Sequence, residues 1–285
     1  MNFNIFENFF NRYWKPLTFV MLIVLLASVS ILFYNQMAHG SVLKRDVELT
    51  GGKEISIEQF SFTAGLNKIT EAIPDAEVRV IGNTLIVSLD STANESQIQQ
   101  KLQDLGVQGK YSTKFIGPSF SETQWRIAQI AIITAFILMS IVIFVLFRTF
   151  VPSIAVILCG ATDILVSMAI LSIMDVRLSL PVLAALLMLI GYSVDTDVVL
   201  TTELLRTKGR DVPGRIKTAM KTGITMTMCA LAALTAMYFV SQDPVLQQIA
   251  TVLIIGLLID MPATWLTNAG ILRWYANRKE RKEAG

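Results

Sequence analysis

The sequence predicts an α-helical membrane protein with six transmembrane helices and one small α+β domain between the first two. Two observations predict this class. Of the 285 residues, 53% are hydrophobic and 16% are charged, and the mean hydropathy is +0.56, which is too apolar for an ordinary soluble domain. The chain also contains several apolar runs close to the roughly 20 residues that an α-helix needs to cross a bilayer.

The apolar runs define the domain organisation. An aromatic interfacial segment is expected at 1–16 and the first transmembrane helix (TM1) at 17–37, which is longer than the apolar core of a signal peptide and lacks a clean cleavage pattern. A bundle of TM2 to TM6 is expected at 126–272 and a basic tail at 273–285. The five later runs are Arg126–Phe147, Val151–Ile173, Val182–Glu203, Met220–Val240 and Gln248–Leu272.

Basic residues predict the orientation. The loop after TM4 carries six Lys or Arg residues and one acid, whereas Met174–Pro181 has one basic residue and Ser241–Gln247 has none. Because basic loops stay on the cytoplasmic side, both termini are expected there and residues 38–125 on the other side. The basic residues are concentrated beside apolar runs, so nucleic-acid binding is not expected.

The polar segment at 38–125 is predicted to fold as a ferredoxin-like domain built on a split β-α-β unit. The expected order is strand Asp46–Leu49, helix Ser61–Ile73, strand Ala76–Ile81, strand Thr84–Leu89, helix Asn94–Leu105 and strand Lys110–Phe115. Its sequence has no His, Cys or acidic cluster at catalytic or metal-ligand spacing, so neither an enzyme nor a metal site is expected. Cys159 and Cys229 lie in apolar runs, and no disulfide is expected.

Three acidic residues, Asp163, Asp195 and Asp260, fall near the middle of predicted helices, where a charged Asp costs roughly 2.5–3.5 kcal/mol. One interpretation is structural: protonated or hydrogen-bonded carboxyls join helices, at about 0.6 kcal/mol per bond. The other is a proton relay, in which a transmembrane gradient loads a buried carboxyl from one side and empties it to the other. We favour the relay for Asp195, with the proton as coupling ion and no other cofactor.

Two further residues extend this relay hypothesis. Asp197 lies two residues after Asp195, about 200° around the helix, and is expected to act as a relay or uptake group. Pro262 follows Asp260 by two residues, removes a backbone donor and frees a carbonyl. It is a candidate hinge in TM6.

Four local motifs resemble those of the SecD/SecF family, which is itself similar to the resistance-nodulation-division transporters. The segment Asp46–Gly52 resembles G-V/I-D-L/F-x-G-G, with Asp46 in place of the first Gly and Glu48 in place of the Asp. Residues Ile116–Ser119 resemble V-G-P-x. The segment that starts at Gly191 resembles G-Y-S-I/V-N-D-T of SecF members, but Asp195 stands at the acid position of SecD members, and Glu203–Arg206 resembles E-R-I-R. The matching residues are Glu48, Gly51, Gly52, Gly117, Pro118, Gly191, Tyr192, Ser193, Glu203 and Arg206.

The resemblance implies a complex with SecD and the SecY channel, in which extracytoplasmic domains engage the emerging polypeptide and proton flow drives their motion. SecD usually has a much larger domain, so the resemblance implies the SecF half of the family. Three alternatives stay open: an assembly scaffold without proton coupling, an intramembrane aspartyl protease using Asp163 and Asp195, and a stand-alone transporter. The usual G-x-G-D context of the protease is absent from the sequence, and six helices are half of a twelve-helix transporter.

Overall fold

The computed structural model of the chain describes residues 3–61, 69, 70, 72, 73, 76–207 and 211–283. Within them, six helical segments are long and apolar enough to cross a membrane, and one small sheet is antiparallel. The predicted fold class is thus confirmed. The helices are TM1 (Phe3–His39), TM2 (Pro118–Phe147), TM3 (Phe150–Ile173), TM4 (Leu180–Arg206), TM5 (Val212–Val240) and TM6, which consists of α-helical Pro244–Pro262, π-helical Ala263–Asn268 and α-helical Ala269–Glu283.

Several helix bounds differ from those expected. TM1 is continuous from Phe3, so the segment expected to lie separately at 1–16 belongs, from that residue on, to the same helix. TM2 begins at Pro118 and not at Arg126, because proline at the first helical position has its φ preset and loses no hydrogen bond there. TM6 likewise continues through the basic tail to Glu283.

The small domain is a four-stranded sheet with the order β2-β3-β1-β4, and every described pair of neighbours is antiparallel. Its core is formed by side chains from the inner face of the sheet and from the helices, including Ile55, Ile57, Leu85, Val87 and Leu102. The strands are β1 (Gly52–Ser61), β2 (Glu77–Ile81), β3 (Thr84–Leu89) and β4 (Gln108–Ile116), and the short helices are α1 (Val47–Thr50) and α2 (Glu95–Asp104).

The first predicted strand of this domain is wrong. Residues Asp46–Leu49 do not extend, because the Asp46 carboxylate accepts from the backbone N–H of Val47 and starts α1. The strand begins only at Gly52, where the alternation of buried Ile55 and Ile57 sets in. Most of the helix expected at Ser61–Ile73 lies outside the described residues, so the ferredoxin-like label stays a prediction.

Close contacts hold the membrane bundle together around TM4 and TM6. A Cβ built on Gly256 of TM6 would clash with the Leu189 side chain of TM4, and one on Gly223 of TM5 would lie 2.5 Å from the Trp265 ring. Small residues at such crossings let helix backbones approach closely, which is the main packing device of helices in lipid. The same crossings place the polar side chains of TM3, TM4 and TM6 inside the bundle.

Two motif glycines differ in whether a larger side chain fits at their position, and this difference is testable. Gly52 has a φ of +140°, and a Cβ there would lie 2.5 Å from the Leu89 backbone oxygen, whereas Gly117 has a φ of −71° and nothing within 4 Å. We expect Gly52→Ala to destabilise the domain by about 1–3 kcal/mol. Gly117→Ala is the matched control and should change the apparent unfolding midpoint of the detergent-solubilised chain little. Equal effects would contradict the description of this turn.

Candidate functional site

Three carboxyl groups from three helices meet inside the bundle. Asp163 comes from TM3, Asp197 from TM4 and Asp260 from TM6, and each is 0% exposed. Buried polar side chains surround them, among them Ser193 and Thr264. We refer to Asp163, Asp197 and Asp260 together as the carboxyl cluster.

TM6 supplies the hydrogen-bond donors to Asp197. Asn268 Nδ2 donates to Asp197 Oδ1 at 2.6 Å, and Thr264 Oγ1 approaches the same oxygen at 3.0 Å. The Thr264 hydroxyl also lies 3.2 Å from Asp260 Oδ1. One hydroxyl hydrogen serves one of these acceptors at a time, so Thr264 can pass its bond between Asp197 and Asp260.

Asp163 is bonded to TM4 and lies near Asp260. The Ser193 hydroxyl of TM4 donates to Asp163 Oδ2 of TM3, and the Asp260 carboxyl of TM6 lies nearby inside the bundle. Two neighbouring carboxyls repel each other when both are ionised. The site therefore combines a hydrogen bond between TM3 and TM4 with a nearby acid of TM6.

Several oxygens in this site have no donor. Asp163 Oδ1, Asp197 Oδ2, Asp260 Oδ2 and Asn268 Oδ1 are buried without a hydrogen-bond partner among the described residues. None of the ion pairs formed by the described residues includes a carboxyl of the cluster, and no group of His, Cys, Asp and Glu in the described ranges is placed to hold a metal ion. An ionised carboxylate left unpaired in this interior would be costly.

The backbone of TM6 changes form at the cluster. Pro262 ends the α-helical part, and residues Ala263–Asn268 are π-helical, with the Ala269 N–H donating to the Thr264 carbonyl. Thr18 of TM1 donates to the carbonyl of Leu266 at 2.9 Å, which satisfies one backbone acceptor of this segment. Short π segments are frequent at functional sites. The expected irregularity at Pro262 is present, and its role as a hinge stays a prediction.

Asp195 is not part of the cluster. It is exposed on TM4 in a stripe with Met188, Gly191 and Tyr192, while Ser193 and Asp197 on the opposite side are buried. A Cβ built on Gly191 would have no neighbouring side chain within 4 Å, so the space beside this glycine is open. The structure thus brings together Asp163, Asp197 and Asp260 and leaves Asp195 facing outwards, so the pair that an aspartyl protease would need at Asp163 and Asp195 is not formed.

Sequence reasoning missed the donors of the site, Thr264 and Asn268. Their signal is their spacing, because Asp260, Thr264 and Asn268 recur every fourth residue and so line one side of TM6. Ser193 was recognised as a motif residue, but not as the donor to Asp163.

A second polar region joins the small domain to the loop between TM3 and TM4. The Asp46 N–H donates to the Leu178 carbonyl at 2.9 Å, and the Leu178 N–H donates to the Lys44 carbonyl at 2.8 Å. Arg45 and Leu178 form an isolated parallel bridge. We call this contact of residues 44–48 with residues 175–180 the domain junction.

Ion pairs reinforce the domain junction. Lys44 Nζ lies 2.7 Å from Asp175 Oδ1, and Arg177 pairs with Glu77 of β2. The motif residue Glu48 has two roles: one oxygen lies 2.7 Å from Lys114 Nζ, and the other accepts from the N–H of Leu180 at 2.9 Å. A carboxylate is favourable at a helix N-terminus, so Glu48 of the domain fixes the first residue of TM4.

Charges of the sheet beside the domain junction perturb one another. Arg79 pairs with Asp46 and lies 3.7 Å from Glu54. Burial, followed by the Asp46 carboxylate, raises the pKa of Glu54. Burial lowers the pKa of Lys114, but the hydrogen bond and charge of Glu48 outweigh it, so that pKa is raised overall.

The remaining motif residues hold helix ends. Gly51 has a φ of +82°, and a Cβ there would lie 3.3 Å from Pro118 Cα, so the turn before β1 packs on the start of TM2, where Gly117 is the N-cap. At the other end of the bundle, Arg206 donates to the carbonyl of Leu146 at 3.0 Å. Glu203 accepts from the Thr207 hydroxyl at 2.9 Å. These motif residues therefore secure the packing of helix ends on both sides.

Comparison with known proteins identifies the family. The model of the family described as "Protein export membrane protein SecD/SecF, C-terminal" matches residues 97–278. SecF of Pyrococcus furiosus is 35% identical over an alignment of 278 residues that covers 94% of this chain and 93% of the relative. SecF of Methanothermobacter thermautotrophicus is 38% identical over an alignment of 244 residues that covers 82% of this chain and 84% of the relative. The chain belongs to the SecF branch of the SecD/SecF family.

Solved structures of this family share the fold. The crystal structure of SecDF, a translocon-associated membrane protein, from Thermus thermophilus superposes with a TM-score of 0.76 over 93% of this chain at 16% identity. SecDF in its super-membrane-facing form gives 0.62 over 95% of this chain at 18% identity. This chain spans 38% and 39% of the lengths of those two chains. Membership of the SecF branch makes this chain a multi-pass membrane protein with a role in protein export.

The charge of Glu54 gives a prediction for the sheet beside the domain junction. A carboxyl whose pKa is raised in the folded state costs stability once it ionises, so the cost is absent below the ordinary value of 4.5 and fully present above the raised folded value. We expect Glu54→Gln to raise the apparent unfolding midpoint at neutral pH, and the gain should vanish as the pH falls below that ordinary value. The measurement is thermal unfolding of the solubilised chain over a pH series.

The control is Glu58→Gln, which changes an exposed Glu on the same strand. It should leave the midpoint nearly unchanged across the series. A lower midpoint for Glu54→Gln at neutral pH would mean that the attraction to Arg79 dominates, and it would overturn this assignment.

Proposed function

We propose that the chain is an auxiliary subunit of the Sec translocase that acts with SecD to promote the export of polypeptides across the membrane. The proton gradient drives this action through intramembrane carboxyls. The main observation in support of this proposal is the carboxyl cluster. Its three acids are fully buried, some of their oxygens have no hydrogen-bond donor, and no described counter-charge pairs with them. Such acids are suited to take up and release protons.

The cluster is connected to the domain outside the membrane. Asp163 and Asp197 lie on TM3 and TM4, and the loop between these two helices forms the domain junction. Loss of a proton adds charge repulsion between Asp163 and Asp260 and changes which acceptor Thr264 serves, so the preferred packing of TM3 and TM4 against TM6 changes. Since Glu48 and Arg177 tie that loop to the domain, the domain moves with it and acts on the emerging polypeptide.

The exposed position of Asp195 supports a membrane partner for this chain. A carboxyl near the middle of TM4 that faces lipid costs roughly 2.5–3.5 kcal/mol, and in this chain it stands on an exposed stripe with Gly191. A second membrane protein that covers the stripe removes that cost. SecD, with a similar arrangement of helices, is the partner proposed here, and the SecY channel completes the complex. Both termini are cytoplasmic in this proposal, and residues 38–125 lie on the opposite side of the cytoplasmic membrane.

One observation favours a second candidate, a scaffold for SecD and the channel without its own proton coupling. Asp197 lies within hydrogen-bonding distance of two TM6 donors, Thr264 and Asn268, as a carboxyl that only joins helices would. The two functions differ in what they require of the acids. A scaffold needs their shape and hydrogen bonds, whereas a coupled subunit needs their protons.

Substitution by Asn separates these functions, because Asn keeps the shape of a protonated Asp but cannot release a proton. We expect Asp163→Asn and Asp260→Asn to insert, to co-purify with the SecD-like partner, and to accumulate unexported precursor in cells to nearly the level of a deletion. Asp104→Asn, an exposed acid at the end of α2, is the control and should export normally. The measurement combines a pull-down in gentle detergent with a pulse-chase assay of precursor export.

Each contrary result has a defined meaning. Normal export by both cluster variants would reject proton coupling through these carboxyls. Loss of the partner together with export would favour the scaffold. For Asp195→Asn we expect weaker recovery of the partner, since this residue lies on the proposed interface.

A further inference from the structure

A cavity at the far end of TM6 lies outside both polar regions described above. Its volume is about 280 Å³, and it is lined by Val151 at the start of TM3 and by Trp274, Tyr275, Arg278 and Lys279 of TM6. None of these five lining residues is acidic. The cavity is thus a small basic and aromatic site between two transmembrane helices.

The cavity combines the aromatic ring of Trp274 with two basic side chains, Arg278 and Lys279. The Arg278 guanidinium carbon lies 5.4 Å from the centroid of the Trp274 ring, a cation–π contact that orients the guanidinium. Tyr275 and Lys279 are likewise one turn apart and line the same cavity. Arg278 and Lys279 thus contribute two positive charges from adjacent positions of the helix.

Charges on the neighbouring elements also favour an anion. TM3 has no acid in its first turn, and its N-cap Thr149 makes no side-chain capping bond, so the backbone dipoles add positive potential beside Val151. The nearest acid along TM6, Glu280, pairs with Arg215. The side chains that line the cavity thus include two basic groups and no acidic one.

The position of the cavity along TM6 matches the polar layer of a bilayer. Trp274 follows Pro244, the first residue of TM6, by a helical length of about 45 Å at 1.5 Å per residue. A bilayer with its headgroups is about 40–45 Å thick. Trp274 therefore lies at headgroup depth, where tryptophan is enriched, and the lipid phosphates are at the same depth.

We propose that this cavity binds the phosphate headgroup of an anionic phospholipid from the adjacent leaflet. Basic pockets between transmembrane helices at the membrane surface are suited to such headgroups. A volume of about 280 Å³ is below the roughly 300–1,000 Å³ of sites that enclose a whole small molecule, so the site holds the headgroup while the acyl chains remain in the bilayer. The proposal does not depend on the proposed function, since it rests on a different surface.

Lipid retention by the purified full-length chain tests the proposal. The chain is reconstituted with equal amounts of phosphatidylglycerol and phosphatidylcholine, extracted, and analysed by native mass spectrometry for bound lipid. We expect the wild type to retain phosphatidylglycerol preferentially, and the double variant Arg278→Gln/Lys279→Gln to lower this preference by about tenfold, because each basic side chain near the membrane surface adds to the attraction. Arg281→Gln, which removes an exposed charge of the same tail that does not line the cavity, should lower it little.

A second measurement separates a lipid from a free phosphate and guards against misfolding. Phosphatidylglycerol should raise the unfolding midpoint of the wild type above that of the same protein in phosphatidylcholine alone, whereas the midpoint of the double variant should be the same in both lipids. Equal stabilisation of the wild type by inorganic phosphate would show a soluble phosphate site and overturn the lipid assignment. Equal phosphatidylglycerol retention by the wild type and the double variant would overturn the site altogether.

Discussion

Three carboxyl groups inside a bundle of membrane helices must find their partners within the protein, because the surrounding hydrocarbon offers neither water nor counter-ions. Here the partners are a few hydroxyl and amide groups of TM4 and TM6. Each such bond is worth only about 0.6 kcal/mol, so the cluster adds modestly to stability. Its larger effect is on geometry, since its bonds join TM3 to TM4 and TM4 to TM6 at one place.

The other irregular features of the chain are arranged around this constraint. The π-helical segment after Pro262 places Thr264 and Asn268 toward Asp197, and TM1 satisfies one of its backbone carbonyls. TM3 and TM4, which carry two of the acids, are connected by the loop that pairs with the small domain. One polar cluster in the membrane is thus linked, through one short loop, to the surface that faces exported polypeptides in the proposed complex.

The sequence predicted the six spanning helices, most of the strands and the acids, because apolar length and strand alternation are local properties. It misplaced the first strand, because the Asp46 side chain starts a helical turn instead. Which acids meet depends on helix rotation and packing: Asp197 faces the bundle while Asp195 faces outwards, and helical periodicity alone cannot decide between those two orientations. The pairing of Glu48 with the N-terminus of TM4 joins distant segments and has no local signal.

The central claim is that the carboxyl cluster holds protons at neutral pH, and infrared spectroscopy of the reconstituted chain tests it directly. We predict a carbonyl-stretch band of protonated carboxylic acid at neutral pH that is weakened in Asp163→Asn and Asp260→Asn, and unchanged in Asp104→Asn. The band should also disappear on alkaline titration. A spectrum at neutral pH without such a band, or with a band that neither cluster variant changes, would contradict the account, since these carboxyls would then carry no proton to release.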